Sequence, residues 1–152
     1  MDNLKYIYGG RELLEFVKPM WNKLNNYHKD NSINFKSHFE SLSFEIKLKK
    51  FEAYSNLEIM VILVKNLSKD TYLGYSISTV TKDKVGEIDS IYVDQDYRKY
   101  GIGKRLMNES IAWLNLKNVN KKILYVAKGN ENVFDFYGKC GFYPKMILLE
   151  EI

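Results

Sequence analysis

Runs of apolar residues predict a group of strands in the middle of the chain. Residues 57–65 are almost all apolar, which is typical of a strand buried on both faces. Residues 71–81 and 85–93 are rich in β-branched and aromatic side chains and are separated by a short polar turn. These three segments predict an antiparallel meander, and residues 4–8 predict a short first strand.

Apolar residues at helical spacing predict helices between the first strand and the meander. Residues 11–29 carry one such stripe, in which Pro19 is expected to kink or split the helix. Two shorter helices are predicted at 34–41 and 44–51. This region is long and rich in aromatic residues, most of which we expect in the core.

The pattern after the meander predicts a helix, a strand, a helix and a strand in turn. The first helix begins at Ile102, the next strand covers 122–127, and the second helix covers 130–140 with Gly141 as its left-handed cap. A last strand is predicted at 146–149. The order of elements indicates a mixed α/β (α+β) domain.

The strand at 85–93 contains an irregularity in its alternation. Its apolar residues fall at Ile88, Ile91 and Val93, so the two-residue period slips by one position between Ile88 and Ile91. A slip of this kind predicts a β-bulge, and bulges often lie beside functional sites.

Composition and charge narrow the class of protein. The 152 residues are 45% hydrophobic and 28% charged, which fits one soluble globular domain. The net charge of +4 fits a small anionic ligand better than a nucleic acid. No apolar run is long enough to span a membrane, no secretory signal is evident, and the single cysteine excludes an internal disulfide, so we expect a cytoplasmic protein.

The stretch YRKYGIGKRL, residues 97–106, places two glycines and several basic residues at the start of the helix at Ile102. A helix N-terminus offers free N–H groups and a positive dipole end, and glycine lets the backbone approach a ligand closely. These residues therefore predict a phosphate site. An ordinary strand-to-helix turn explains the glycines alone equally well, and the spacing fits neither a dinucleotide fingerprint nor a P-loop.

The same loop resembles the R/Q-x-x-G-x-G/A signature of the GNAT superfamily of acyl-CoA-dependent N-acetyltransferases. Residues 87–94 resemble the strand before that loop, and residues 130–142 resemble the second signature, N-x-x-A-x-x-F-Y-x-K-x-G-F. The chain departs from the pattern at Gln95, where proline is common, at Tyr100, which is bulkier than usual, and at Val133, which takes the place of alanine. The resemblance covers the chain from about residue 57 onward.

This resemblance implies a single GNAT-like domain over residues 1–152 whose mostly antiparallel mixed sheet is splayed by the bulge. Residues 1–56 would form the acceptor side and residues 57–152 the acyl-CoA-binding core. Backbone N–H groups of residues 98–104 would hold the coenzyme A pyrophosphate. The implied cofactor-binding residues are Ile91, Tyr92, Val93, Arg98, Lys99, Tyr100, Gly101, Ile102, Gly103, Lys104, Asn130, Phe136 and Tyr137.

The resemblance also implies which residues carry out the chemistry. Acetyl-CoA would be the co-substrate, and a primary amine would attack its thioester directly. Tyr137 would protonate the departing thiolate, the Val93 N–H would hold the carbonyl oxygen, and Glu87 would accept the amine proton, directly or through water. Asp89 is the alternative base, or it would hold a cationic amine instead.

Other reactive side chains are interpreted as structural. Cys140 falls on the apolar face of the helix at 130–140, which indicates a packed thiol and not a nucleophile. His28 and His38 are not at a metal-ligand spacing, and no cysteine or carboxylate cluster accompanies them, so we expect no metal.

The expected acceptor is an amine. A small-molecule amine is favoured, and a peptide or protein amine is the alternative. A non-catalytic acyl-CoA-binding sensor is a rival function, whereas a nucleic-acid-binding module is disfavoured by the mild charge. The predicted last strand leaves a sheet edge that a second subunit could cover in a homodimer.

Overall fold

One sheet of five strands forms the centre of the computed structural model, which describes residues 3–152. The strands lie in the order β1-β2-β3-β4-β5, antiparallel throughout except for the parallel pair β4 and β5. This confirms the predicted α+β class. The strands are β1 Leu4–Gly9, β2 Glu58–Asn66, β3 Thr71–Val80, β4 Val85–Val93 and β5 Lys121–Ile123, and the helices are α1 Leu14–Asn31, α2 Lys36–Ser41, α3 Phe44–Ala53, α4 Ile102–Leu116 and α5 Phe134–Gly138.

Helices cover both faces of the sheet. On one face, side chains of α1 and α3 such as Trp21 and Phe44 pack with Leu63 of β2. On the opposite face, Leu106 of α4 packs with Ile62 of β2. Neighbouring residues of β2 are buried on opposite faces of the sheet, which explains why the strand is apolar without alternation. The predicted central strand is confirmed.

The predicted β-bulge is present in β4. Ile77 of β3 lies opposite Ser90, but the next residue, Ser78, lies opposite Ile88. Asp89 is therefore the extra residue, placed within the slip that the apolar pattern predicted.

The sheet opens beside this bulge. β5 pairs with β4 only where Lys121–Ile123 lies along Val85, Gly86 and Glu87. The predicted strand at 122–127 is thus mostly wrong, because residues 124–127 leave β4 at that point. The backbone of β4 beyond Glu87 has no strand on this side in the described part of the chain.

Two further expectations, for the end of the chain, are changed by the structure. The last strand predicted at 146–149 is wrong, because residues 143–152 have no regular secondary structure and lie exposed to solvent. An apolar run forms a strand only beside a partner strand, and the described part of the chain provides none for these residues. The helix predicted at 130–140 is a 3₁₀ turn, Glu131–Val133, followed by α5.

Pro19 does not break α1, which runs through it. The proline leaves the carbonyl of Glu15 without its helical donor. Glu15 is exposed, so water can replace that donor.

In residues 3–152, no helix has the length and apolarity needed to cross a membrane.

Candidate functional site

The N-terminus of α4 presents free backbone donors. The Arg105 N–H makes the first helical hydrogen bond, to the Gly101 carbonyl at 3.0 Å. The N–H groups of Ile102, Gly103 and Lys104 precede that bond and so have no carbonyl one turn earlier to pair with. Within residues 3–152, no side chain caps this end of the helix. The arrangement suits an anion.

The loop before α4 has two residues in the left-handed backbone region. Gly101 has a φ of 79°, and Lys99 has a φ of 70°. A Cβ at Gly101 would meet nothing within 4 Å, so the space outside its backbone is open. Glycine is therefore favoured at position 101 for its conformation, and the exposed loop leaves room for a ligand.

Arg98 makes hydrogen bonds within the protein through both its backbone and its side chain. Its N–H donates to the Gln95 carbonyl at 3.3 Å, and its Nε donates to the Val93 carbonyl at 3.0 Å. Of the backbone donors expected across residues 98–104, that of Arg98 is thus already paired. Its side chain instead ties the loop to the end of β4.

The end of β4 directs backbone groups into the opening of the sheet. The Asp94 N–H donates to the Leu73 carbonyl at 2.8 Å, so the peptide group of Asp94 faces β3. Because backbone direction alternates along a strand, the N–H groups of Val93 and Ile91 face away from β3, towards the side that β5 has left. This is the direction that pairing with a pantetheine arm requires.

Tyr92 has a different orientation from its two neighbours. By the same alternation its backbone faces β3, where it lies opposite Tyr75. The two rings stack at 6.2 Å, and the Tyr92 hydroxyl donates to Asp94 Oδ1 at 2.7 Å. The ring packs with the cluster formed by α1 and α3, so the Tyr92 side chain lies on the face of the sheet that these helices cover.

Helix α5 meets the loop and β4 at Gly103. A Cβ placed on Gly103 would lie 3.5 Å from the Phe136 ring and 4.0 Å from Cγ2 of Val93. Three of the predicted cofactor-binding residues are therefore within contact distance of one point. Asn130 lies in the turn before α5, where its N–H donates to the Ala127 carbonyl at 3.0 Å.

Tyr137 is a half-buried phenol next to Phe136. It packs against the cluster that contains Met107 and Leu114 of α4. Burial, and to a lesser degree the nearby Cys140, raises the pKa of Tyr137 to about 12. Its proton is therefore retained at neutral pH, as an acid requires.

Two carboxylates of β4 face a lysine of α3. The Lys47 ammonium lies 2.6 Å from Oδ2 of Asp89, and both side chains are largely buried. The contact is an ion pair without an aligned hydrogen bond to Oδ2. Burial raises the pKa of the neighbouring Glu87, Asp89 raises that pKa further, and Lys47 lowers it. A base near neutral pH needs such a raised pKa.

Sequence reasoning missed two contacts around this site. Lys47 is distant in sequence from Asp89, and no motif marks it. Gly129 packs so closely on the end of α1 that a Cβ there would lie 2.4 Å from the Asn31 carbonyl oxygen. In the sequence, the glycine itself, at a predicted turn, was the one sign of this close contact.

The residues interpreted as structural lie in packed surroundings. Cys140 packs against the same apolar cluster as Tyr137. The His28 ring lies 5.8 Å from that of Phe39, and burial lowers its pKa. Trp21 and Phe44 are buried in the core, as expected for most aromatic residues of this region.

Comparisons with known proteins identify relatives of this chain. An uncharacterized N-acetyltransferase of Methanocaldococcus jannaschii is 35% identical over 72 residues, which are 47% of this chain and 32% of that protein. The aligned part is thus about a third of that relative's length.

Solved structures match over almost the whole chain. A GCN5-related N-acetyltransferase from Ralstonia eutropha superposes with a TM-score of 0.73 at 17% identity, covering 98% of each chain. An aminoglycoside N-acetyltransferase in complex with CoA superposes with a TM-score of 0.64 at 12% identity, covering 98% of this chain and 93% of its own. At these identities the likeness shows the fold.

The family model described as the acetyltransferase (GNAT) family matches residues 21–142. That match includes the bulged strand, the loop before α4 and the helix that carries Tyr137. This chain therefore belongs to the GNAT family of acetyltransferases.

Proposed function

We propose that this protein moves an acetyl group from acetyl-CoA to a primary amine of a small molecule, by direct attack within a ternary complex. One observation carries the proposal. The free N–H groups of α4, the outward-facing backbone of Val93 and the helix bearing Tyr137 meet around Gly103. The diphosphate of CoA needs the free N–H groups of α4, and the thioester carbonyl needs the N–H of Val93. The departing thiolate needs the proton of Tyr137.

Coenzyme A fits the residues present. Its pyrophosphate would accept from the backbone donors of residues 99–104, with Lys99 and Lys104 adding positive charge. Its pantetheine arm would run along Ile91 and Val93 into the opening between β4 and residues 124–127. When bound, acetyl-CoA supplies the acetyl group as an activated thioester. One of the structural neighbours is described in complex with CoA, which supports this assignment.

Each catalytic step has a residue suited to it. Glu87 accepts the proton of the amine, directly or through water, because its raised pKa makes it a stronger base than an exposed carboxylate. The Val93 N–H donates to the carbonyl oxygen as negative charge develops there. Tyr137 then protonates the thiolate when the C–S bond breaks. Holding amine and thioester together supplies much of the remaining acceleration.

The acceptor side favours a cationic amine. Glu87 and Asp89 place two carboxylates beside one lysine, so the cluster retains acidic character. Residues 1–56, which contain α1 to α3, would form most of this side. A neighbour of the same fold is described as acting on aminoglycosides, which are small amines. A cytoplasmic location, with access to acetyl-CoA, is part of the proposal.

A thiol-release assay tests this function. Acetyl-CoA is incubated with the protein and a panel of small amines, peptide N-termini and lysine peptides, and the free thiol of CoA is measured. We expect release with at least one small amine and a rise in melting temperature with CoA alone. A rise in melting temperature without release by any amine would favour a non-catalytic sensor, and release with peptides alone would favour a peptide acetyltransferase.

A further inference from the structure

Lys47 holds a primary amine beside the carboxylates of β4. Its Nζ lies 2.6 Å from Oδ2 of Asp89, and both side chains are largely buried. The same Nζ lies 5.4 Å from the centre of the Phe51 ring. A carboxylate and an aromatic face both attract a cation, so they fix the position of this amine inside the protein.

Lys47 lies level with the part of β4 where we propose that the chemistry occurs. Its partner Asp89 is two residues after Glu87, the proposed base, and two residues before Ile91, whose N–H faces the opening of the sheet. At about 3.3 Å for each residue of a strand, each of these steps is at most about 7 Å. Lys47 also lowers the pKa of Glu87, because the two charges lie near each other.

The thioester would be approached from the face of the sheet that carries Lys47. On the opposite face, the side chains of Ile91 and Val93 pack against the cluster that contains Leu106 of α4. Helix α4 therefore covers that face, and an amine reaches the opening from the face of α1 and α3. Lys47 is already in place there, and its flexible four-carbon stem can turn the nitrogen from Asp89 towards the opening.

We propose that this protein transfers an acetyl group from acetyl-CoA to its own Lys47 when no external amine occupies the site. This inference rests on the proposed acetyl transfer. The Lys47 ammonium gives one proton to Glu87, and its nitrogen then attacks the thioester carbonyl. The N–C bond forms, the C–S bond breaks, and Tyr137 protonates the departing thiolate. A second proton of the nitrogen restores Tyr137, and Glu87 releases its proton to water. The products are acetyl-lysine, free CoA and one proton.

Acetylation removes the positive charge of Lys47. Asp89 then loses its ion-pair partner, and Glu87 loses the influence that lowers its pKa. The modified protein offers two carboxylates without the charge of the lysine, which favours the binding of a cationic acceptor. Self-acetylation would in this way adjust the site for its external substrate.

Peptide mass spectrometry tests the proposal. The protein is incubated with acetyl-CoA alone, and the acetylation of each lysine is followed over time. Lys47 should react faster than Lys49, an exposed lysine of the same helix that reports purely chemical acetylation. Glu87→Gln should slow the reaction of Lys47 by about 10²-fold and leave that of Lys49 unchanged. Melting temperatures with and without CoA check that this variant folds and binds the coenzyme.

Dilution and a conservative variant identify the route. At constant acetyl-CoA, the rate at Lys47 should not change when the protein is diluted, because a largely buried lysine reacts within its own chain. Lys47→Arg keeps a positive charge beside Asp89 and should bind CoA normally, but its intact mass should lack the fast acetylation. Acetyl-Lys47 that is already present after purification supports the proposal only if Glu87→Gln, purified in the same way, lacks it; equal amounts would contradict it.

Three outcomes would overturn the proposal. Lys47 might react no faster than Lys49, or its rate might rise with protein concentration, which would indicate transfer between copies. The third is acetylation of Lys23 in its place; Lys23 pairs with Asp94 at 3.0 Å, beyond the end of β4 that is distant from Glu87.

The amine panel, measured on the same protein, separates this proposal from the proposed function. Thiol release with an external amine but no acetylation of Lys47 would reject self-acetylation alone. Absence of both thiol release and CoA binding would reject the proposed function as well. Acetylation of Lys47 without release by any amine of the panel would support self-acetylation and reject the small-molecule acceptor.

Discussion

The ammonium of Lys47 lies 2.6 Å from Oδ2 of Asp89, the extra residue that forms the bulge of β4. This pair joins helix α3 to the strand that carries Glu87. It also places a positive charge close enough to Glu87 to lower the pKa of that carboxyl against the effect of burial. Lys47 therefore partly offsets the increase in the pKa of Glu87 that burial and Asp89 cause.

Lys47→Met should move the acidic limb of the rate profile to higher pH. Removing the lysine charge removes the influence that lowers the pKa of Glu87, so the carboxylate form appears only at higher pH. The measurement is kcat/KM against pH with the best amine of the panel. Lys49→Met, at an exposed position of α3, is the matched control and should leave the limb in place. A limb that stays fixed in Lys47→Met would remove Glu87 as the titrating base.

Glu87→Gln should stabilise the fold at high pH while abolishing most of the turnover. A carboxyl whose pKa is raised on folding contributes stability below its unfolded pKa and loses it as pH rises through the folded pKa. Gln is uncharged at every pH, so the melting temperature of the variant should exceed that of wild type at about pH 8 and match it more closely at about pH 4. If the melting temperatures of variant and wild type differed by the same amount at both pH values, Glu87 would not be a group that ionises with a raised pKa in the folded protein.

Tyr137→Phe should slow the chemical step without weakening coenzyme binding. Loss of a general acid typically costs about 10²-fold or more in rate. The ring remains, so packing against Leu114 and Phe136 is preserved. Thiol release under single-turnover conditions measures the step, and CoA titration by melting temperature measures binding. Unchanged release would exclude Tyr137 from proton transfer.

Gly103→Ala should strengthen the helix and weaken binding of CoA. Alanine is favoured over glycine by about 1 kcal/mol in a helix interior, and part of that preference applies at Gly103 in the first turn of α4. The new Cβ would lie at ordinary contact distance from Phe136. That Cβ would nevertheless occupy the surface where the pyrophosphate is proposed to sit. We expect a higher melting temperature without ligand and a smaller increase with CoA. A larger increase with CoA than in wild type would place the ligand elsewhere.

Gly129→Ala should destabilise the protein far more than Gly141→Ala. Both glycines have left-handed φ values, 102° and 88°, so both substitutions carry a backbone cost of about 1–2 kcal/mol. Only at Gly129 would the Cβ also collide with the backbone of Asn31, at 2.4 Å, whereas Gly141 has open space. The difference between the two melting temperatures isolates the contact between the turn and α1. Equal losses would show that this contact is not close in solution.

Local patterns in the sequence predicted local features well. The slip between Ile88 and Ile91 marked the bulge, because one extra residue changes the period only at its own position. The strand at 146–149 was predicted wrongly, because strand formation depends on a partner that an apolar pattern does not specify. The contact between Lys47 and Asp89 joins distant parts of the chain, and charge alone does not reveal which lysine packs against which carboxylate.

A single inserted residue decides which peptide groups of β4 are available to a ligand. Asp89 has no partner of its own on β3, so Ile88 and Ser90 lie opposite consecutive residues of that strand. If Asp89 were paired in regular register instead, each later residue of β4 would shift by one position along β3 and exchange direction with its neighbour. Val93 and Ile91 would then turn their N–H groups towards β3, and Tyr92 would take their place at the opening. Loss of the bulge would therefore remove the proposed donors for the thioester without changing a single residue of the sequence.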